Sequence, residues 1–367
     1  MNLSRRSLGE EGQGLSDGSV IAWLKSIMEG VTIDRALAKR ADNFLILRIV
    51  AAALVIYGHA PHIAPGVENV DLFVRMGWGH YSGDIAVDTF FLISGFLVTG
   101  SYIRQKSLYK FAKARFLRVF PAFVLNVCAL ALVYGLLLTT LPKMDYLGQS
   151  GTWSYITTNL QMTSDMAWTL PGVFEEGLKT STINGSQWTL PAEVRMYVLL
   201  GVMGALGLFA SARITTIALV VVFFAALLHP EFFPLHPGWF RPGGFFLLGV
   251  LIYMHRQWIT LRLEMAVALV MLAVLTHHLP IYTVTFALAL AGVVFSFAYL
   301  TPALRWLERF GDPSYGIYLW GWPSQQLVAH FVPQAGLVLH VTLALVIATA
   351  LGYLSWTVLE KRMLRLK

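Results

Sequence analysis

The sequence predicts an all-α fold, a polytopic membrane bundle of about ten transmembrane helices with both termini cytoplasmic. Three observations predict it. Of 367 residues, 56% are hydrophobic and only 13% charged, with a mean hydropathy of +0.63, whereas a soluble domain carries about 25% charged residues. Apolar runs of bilayer-crossing length, about 20 residues, recur from Phe44 to the C-terminus. They are continuous and rich in Leu, Ala and Val, which points to helices rather than to the weak alternation of a β-barrel. The third observation is where the basic residues fall.

A polar segment, 1–43, comes first. It has no apolar core ahead of a cleavage site and is not read as a signal peptide. Residues from Val20 to Lys39 are either a weakly amphipathic surface helix or part of a disordered tail. The membrane domain follows over 44–361, with spans expected near 44–63, 84–103, 118–140, 189–208, 213–229, 241–255, 262–277, 281–299, 313–331 and 337–359. A long outer segment, about 141–187, separates the third span from the fourth and carries Trp153, Asp165, Trp168, Glu175 and Glu176. Segments of that length are functional or disordered; these aromatics either stack on a sugar or anchor the loop at the interface. A basic tail, 362–367, ends the chain. No internal repeat supports an inverted-repeat transporter.

With the N-terminus inside, 21 of the 27 Lys and Arg fall in inner segments. Arg75, Lys143, Lys179 and Arg241 fall outside, and Arg48 and Arg195 lie within spans. That bias follows the positive-inside rule. It makes the net charge of +7 a matter of topology and anionic lipid, not of nucleic acid. The single cysteine, Cys128, excludes an intrachain disulfide, and no metal-binding Cys/His set is expected.

Ionisable groups inside spans are costly and face interior cavities. Arg48 and His59 share the first span, 11 residues apart. That is about three turns, so both point to one face, roughly 16 Å apart along the axis. Either this polar stripe is functional, or Arg48 snorkels and His59 caps the helix beside Pro61. Glu193, near the outer end of the fourth span, lies at a depth comparable with His59 and needs a partner. His59 and Arg195 are candidates, but Arg195, two residues on, points to a different face. A histidine beside a carboxylate makes a general base. Asp88, on the second span, either orients a catalytic group or serves structure, the latter being favoured; Gly95 permits close helix packing. Arg115 and Arg118, three apart on one face, belong to a positive-inside loop or meet a phosphate-bearing ligand from the cytoplasm.

Five segments in order then carry a resemblance: LRIVAAALVIYGH, DIAVDTFFLISGFLVTG, FAKARFLRVFPAF, NGSQWTLPAEVRMY and FGDPSYGIYLWGWP. From about Phe44 to Lys361 the chain resembles the acyltransferase-3 family of integral membrane acyltransferases, in the form seen in polysaccharide O-acetyltransferases. One departure stands out. Gly321 occupies the position after Leu-Trp where the family usually has histidine, with Trp322 and Gln325 as neighbours.

The resemblance implies transfer of an acyl group, acetyl from acetyl-CoA above all, to a sugar hydroxyl of a cell-envelope polysaccharide or glycolipid, in a bacterial inner membrane. It implies His59 and Glu193 as catalytic residues, and Arg48, Arg115 and Arg118 as ligands for the acyl-CoA phosphates. Asp88, Ser94, Trp188, Tyr315 and Tyr318 would support the site or bind the acceptor. Acyl-CoA is then a donor substrate, and no resident cofactor or metal is implied. The alternatives are a transporter or flippase for a lipid-linked sugar, and a binding module that has kept the fold without the chemistry.

Overall fold

The computed structural model describes residues 29–67, 71–175, 177–229 and 236–367. Residues 20–28 of the expected surface helix, and Glu176 of the outer segment, lie outside them. The chain runs through β1 (Val31–Thr32), α1 (Ile33–Ala38), α2 (Phe44–Ile63), α3 (Ser82–Gln105) and α4 (Leu108–Leu138). Next come α5 (Ser150–Leu160), α6 (Thr189–Ala205), α7 (Ala212–Leu228) and α8 (Phe240–Met254). It ends with β2 (Thr260–Leu261), α9 (Leu263–Leu275), α10 (Tyr282–Leu300), α11 (Ser314–Phe331) and α12 (Leu337–Leu364).

The fold is overwhelmingly helical, and it corrects the expectation of about ten spans. Among the described residues five helices are long and apolar enough to cross a membrane: α2, α3, α4, α10 and α12. Two shorter apolar stretches, Ala212–Ala226 and Leu263–Leu275, fall below that length. Three expected spans became helices of another kind. α6 has 17 residues and carries Glu193 and Arg195; α8 has only 15. α11 has 18 residues but includes Ser314, Ser324, Gln325 and Gln326, all buried against protein. An apolar window does not distinguish a helix facing lipid from one facing other helices. An even count carried the expectation of two cytoplasmic ends, and that expectation goes with it. Nor is the fold purely α, since β1 and β2 pair antiparallel, Val31 with Leu261 and Thr32 with Thr260.

That strand pair belongs to a compact unit of residues up to Ala41 with Arg256–Pro302. Its ion pair, Asp34 to Arg256 Nε at 2.8 Å, sits beside the strands. α1, α9 and α10 are its helices, and large apolar side chains such as Met271, Leu275 and Val284 are more than half exposed on α9 and α10, as lipid-facing positions are.

The second unit, Asp42–His255 with Ala303–Lys367, holds α2–α8, α11 and α12. Its core is built from α2, α3, α4 and α11, around Ala52, Ile56, Phe123, Val127 and Leu319. Without a hydrophobic force between helices in lipid, close backbone approach does the work. A Cβ on Gly95 of α3 would lie 2.0 Å from the Phe246 carbonyl oxygen of α8, and one on Gly316 of α11 would lie 2.8 Å from Gly352 Cα of α12. The 141–187 segment is not a loose loop. Tyr146 and Tyr155 are fully buried in the core, and the Tyr146 hydroxyl donates to the Ala131 carbonyl at 2.7 Å, inside a π-helical turn of α4. Asn159 clamps Ala167 at both backbone groups, accepting its N–H at 2.9 Å and donating to its C=O at 3.0 Å.

Candidate active site

Of the ten residues singled out from sequence, seven line one cavity of about 170 Å³: Arg48, Ser94, Arg115, Arg118, Glu193, Tyr315 and Tyr318. At its basic end Arg48 reaches Asp312 Oδ2 at 3.1 Å, and Arg118 reaches the same oxygen at 2.8 Å. The other oxygen, Asp312 Oδ1, accepts from Ser314 Oγ at 2.5 Å and from Ser314 N at 3.4 Å, which places the carboxylate at the N-terminus of α11, where a helix favours negative charge. Burial pulls the Asp312 carboxyl upward, but the Arg118 and Arg48 charges and the Ser314 hydrogen bonds outweigh it and hold the group well below the usual carboxylate range. Glu360 stands 3.8 Å from Arg118 Nη1.

Arg115 lies on the face of α4 that also carries Arg118, as a three-residue spacing requires. Its guanidinium sits over the Tyr197 ring, 5.8 Å from the centroid. The Nε atoms of both Arg48 and Arg115 are buried without a hydrogen-bond partner. Glu193 accepts from the Tyr197 hydroxyl, one turn along α6, and from Ser94 Oγ at 3.4 Å. Ser94 and Tyr197 are themselves 3.1 Å apart. Tyr315 donates to the Val119 carbonyl at 3.0 Å.

Glu193 is therefore not the partner of His59. His59 is buried about three turns along α2 from Arg48, roughly 16 Å away by helical rise. Its Nε2 is 3.5 Å from the Tyr81 hydroxyl, its ring meets Trp322 edge-on at 4.8 Å, and its Nδ1 is buried without a partner. Burial, with Asp84 adding to it, pushes the Tyr81 hydroxyl up to about 12, so it remains a hydrogen-bond donor across the physiological range. Tyr81 is held in place through its neighbour Ser82, whose N–H and Oγ both donate to Asp71, at 3.0 and 2.5 Å. Lys179 closes the end of α2, donating to the carbonyls of Pro61 at 3.0 Å and Val67 at 2.5 Å.

Two stations thus share helices α2 and α11. On α11, Tyr315, Tyr318 and Trp322 recur at the three- and four-residue steps of one helical face; the first two line the cavity and the third touches His59. Gly321 points elsewhere, with Ile56 of α2 within 2.9 Å of where its Cβ would be. The segment before α6 is bound to this face. The Tyr318 hydroxyl meets Thr189 Oγ1 at 2.5 Å and donates to the Ser186 carbonyl at 2.6 Å, and Trp322 Nε1 donates to the Thr182 carbonyl at 2.9 Å.

Asp88 and Trp188 stand outside the cavity. Asp88, 1% exposed, is locked to Arg241 of α8 at 2.5 Å, and Arg241 also binds Asp84 at 2.8 Å. Arg241 is a strut between α3 and α8. Sequence reasoning missed Asp312, Tyr197 and Tyr81. Asp-Pro-Ser is a helix-start signature that pointed to Asp312, and Tyr197 is one turn from Glu193, on the same face. No local signal led to Tyr81.

The family model described as an acyltransferase domain matches residues 43–357. An O-acetyl transferase of Shigella phage Sf6 is 28% identical over 340 residues, covering 89% of this chain and 96% of the relative. Nodulation protein 10 of Rhizobium leguminosarum bv. viciae is 30% identical over 362 residues, covering 89% of this chain and 94% of the relative. No solved structure matches the chain. Five apolar helices of spanning length and a match across nearly the whole membrane domain identify a multi-pass O-acyltransferase of the bacterial inner membrane, and the chain belongs to the acyltransferase-3 family.

Proposed function

We propose that this enzyme moves an acetyl group from acetyl-CoA to a sugar hydroxyl of a cell-envelope polysaccharide or glycolipid, with His59 as general base. The observation that carries the reading is the cavity in which Arg48, Arg115 and Arg118 converge. A guanidinium has five N–H donors. Asp312 engages only Nη2 of Arg48 and Nη2 of Arg118, and Arg115 makes no ion pair among the described residues, so several donors are left for a polyanion. Planar forks of this kind suit phosphate. Donor phosphates at this end leave the flexible acyl-bearing arm of the CoA to run along the shared face of α2 and α11 toward His59.

At that end the acceptor hydroxyl oxygen attacks the thioester carbon while His59 takes its proton. The C–S bond then breaks, and the CoA thiolate recovers the proton. Such assistance contributes about 10²–10⁴-fold in rate. Glu193, with Ser94 and Tyr197, serves the donor cavity in this scheme rather than His59. The relative named as an O-acetyl transferase agrees with an acetyl donor.

The test is mass spectrometry of envelope polysaccharides and glycolipids from cells with the wild-type protein, with none, and with His59→Ala. One acyl increment present only with wild type is expected. An increment retained in His59→Ala, in protein shown to insert normally, would remove His59 from the reaction.

A further inference from the structure

A second cavity, of about 270 Å³, lies apart from the first and is lined by Thr163, Ser164, Met166, Trp168, Trp188, His236 and Trp239. We propose that it is the acceptor subsite, a stacking pocket for one sugar ring of the glycan that is acylated. The inference rests on the acyl-transfer reading and names where its acceptor is held. A sugar ring offers C–H faces to indoles and hydroxyls to polar atoms, and three tryptophans with Thr163, Ser164 and His236 match both.

Tryptophans near a membrane surface often serve only as interfacial anchors. These do not project as anchors do. Trp239 is 3% exposed, Trp168 and Trp188 are half-buried, and all three line the same space.

The pocket is also built before any ligand arrives. The Arg195 guanidinium covers one side of Trp239, 4.5 Å from the ring centroid, and bonds the carbonyls of Met162 and Pro191, each at 3.1 Å, so a single side chain holds the Thr163–Ser164 wall and the Trp239 wall together. Trp239 Nε1 donates to the Trp188 carbonyl at 3.1 Å. The clamp of Asn159 on Ala167, and the Ile183 N–H donating to the Trp168 carbonyl at 2.7 Å, fix Trp168. His236 Nδ1 accepts the Gly238 N–H at 3.1 Å, which puts the ring proton on Nε2 as a donor for a hydroxyl. Preorganisation of this sort spares the ordering cost of binding.

Its place agrees with the chemistry. Trp188 lies six residues after Thr182, whose carbonyl holds Trp322 against His59. The Trp168 carbonyl accepts from Ile183, the residue after Thr182, so the pocket wall and the contact that holds Trp322 against His59 are set by one stretch of backbone.

The probe is the unacylated envelope polysaccharide from cells lacking this protein, titrated against the purified full-length chain in detergent with acetyl-CoA binding measured in parallel. Trp168→Leu and Trp188→Leu should each weaken polysaccharide binding at least tenfold, Trp168→Phe should retain most of it, and all should bind acetyl-CoA as wild type does. Wild-type protein that does not bind the polysaccharide would overturn the subsite. So would leucine variants that bind it normally, or variants that lose both ligands together. Tryptophan-dependent binding with no acyl increment ever found in the glycan would leave the subsite standing and sink the transfer reading. An increment in cells with leucine variants that bind and acylate normally would do the reverse.

Discussion

Removing the Asp312 charge tests whether the basic end of the arginine cavity is one electrostatic unit. Asp312 and Arg48 are each 22% exposed at the side chain and Arg118 18%, so most of each charge is out of water. Asp312→Asn keeps an acceptor for Ser314 but leaves the two guanidinium groups facing each other with only Glu360, 3.8 Å from Arg118 Nη1, as a nearby counter-charge. Deleting one partner of a buried pair costs about 3–5 kcal/mol. The remaining exposure and the retained Ser314 bond place the expectation at the low end, about 3 kcal/mol, or roughly a hundredfold in the folding equilibrium. The assay is equilibrium unfolding in mixed micelles by titration with denaturing detergent, applied to Asp312→Asn, Arg48→Met and the double variant. In the double variant the unpaired Arg48 is gone, so it should lose about 1–2 kcal/mol less than the sum of the singles. Losses that add to within about 0.5 kcal/mol would refute the shared-anion argument. The pH dependence has a definite sign. Because the folded Asp312 carboxyl is held below its ordinary value, its contribution is complete above about pH 4 and is lost as pH falls toward the folded value. The difference between wild type and Asp312→Asn should therefore shrink as pH falls below about 4.

Three further expectations follow from other contacts. Arg115→Gln removes a charge-assisted donor worth about 1.5–3 kcal/mol, so the acetyl-CoA KM should rise roughly 10–100-fold with the acceptor KM unchanged in steady-state kinetics. Arg241→Gln strands Asp88 and should reduce thermal stability sharply, while the pair Asp88→Asn with Arg241→Gln should recover much of the loss; no recovery would mean that Arg241 acts through another contact. Gly95→Leu forces a side chain into the Phe246 backbone and should cost about 1–3 kcal/mol or prevent accumulation, read as yield and thermal unfolding.

What was legible in the sequence, and what was not, divides by range. Helical periodicity puts Arg48 and His59 on one face of α2, and the same arithmetic joins Arg115 to Arg118; both are local consequences of 3.6 residues per turn. Asp312 escaped because its partners are 264 and 194 residues away, and no local pattern encodes such a pair. Depth made His59 one of two candidate partners for Glu193, yet depth along an axis does not say which way a side chain faces, and Tyr197 and Ser94 hold it instead. The number of spans was overcounted for a related reason. α11 carries Gln325 and Gln326 with no exposure, so it is enclosed by protein, and its hydropathy reports the bundle rather than the bilayer. The 141–187 segment looked like loop because its fold depends on burying Tyr146 and Tyr155 against α4, a contact with no periodic signature.

The segment from Asn184 to Glu193 ties the arginine cavity and the His59 station together. Asn184 Nδ2 donates to Asn126 Oδ1 at 3.2 Å and to the Leu319 carbonyl at 2.9 Å, and Gln187 Nε2 donates to the same Asn126 oxygen at 2.9 Å. All three amides are essentially unexposed. Buried polar groups joined in this way fix one arrangement, because any slip leaves several of them unpaired at once. The segment cannot move against α4 or α11 without breaking that set. Just before it Thr182 holds Trp322 to His59; within it Trp188 lines the aromatic pocket, and Thr189 and Glu193 face the arginine cavity. A single rigid strip of backbone therefore sets the spacing among the arginine cavity, His59 and the aromatic pocket, as direct transfer between two bound substrates would demand under the proposed function.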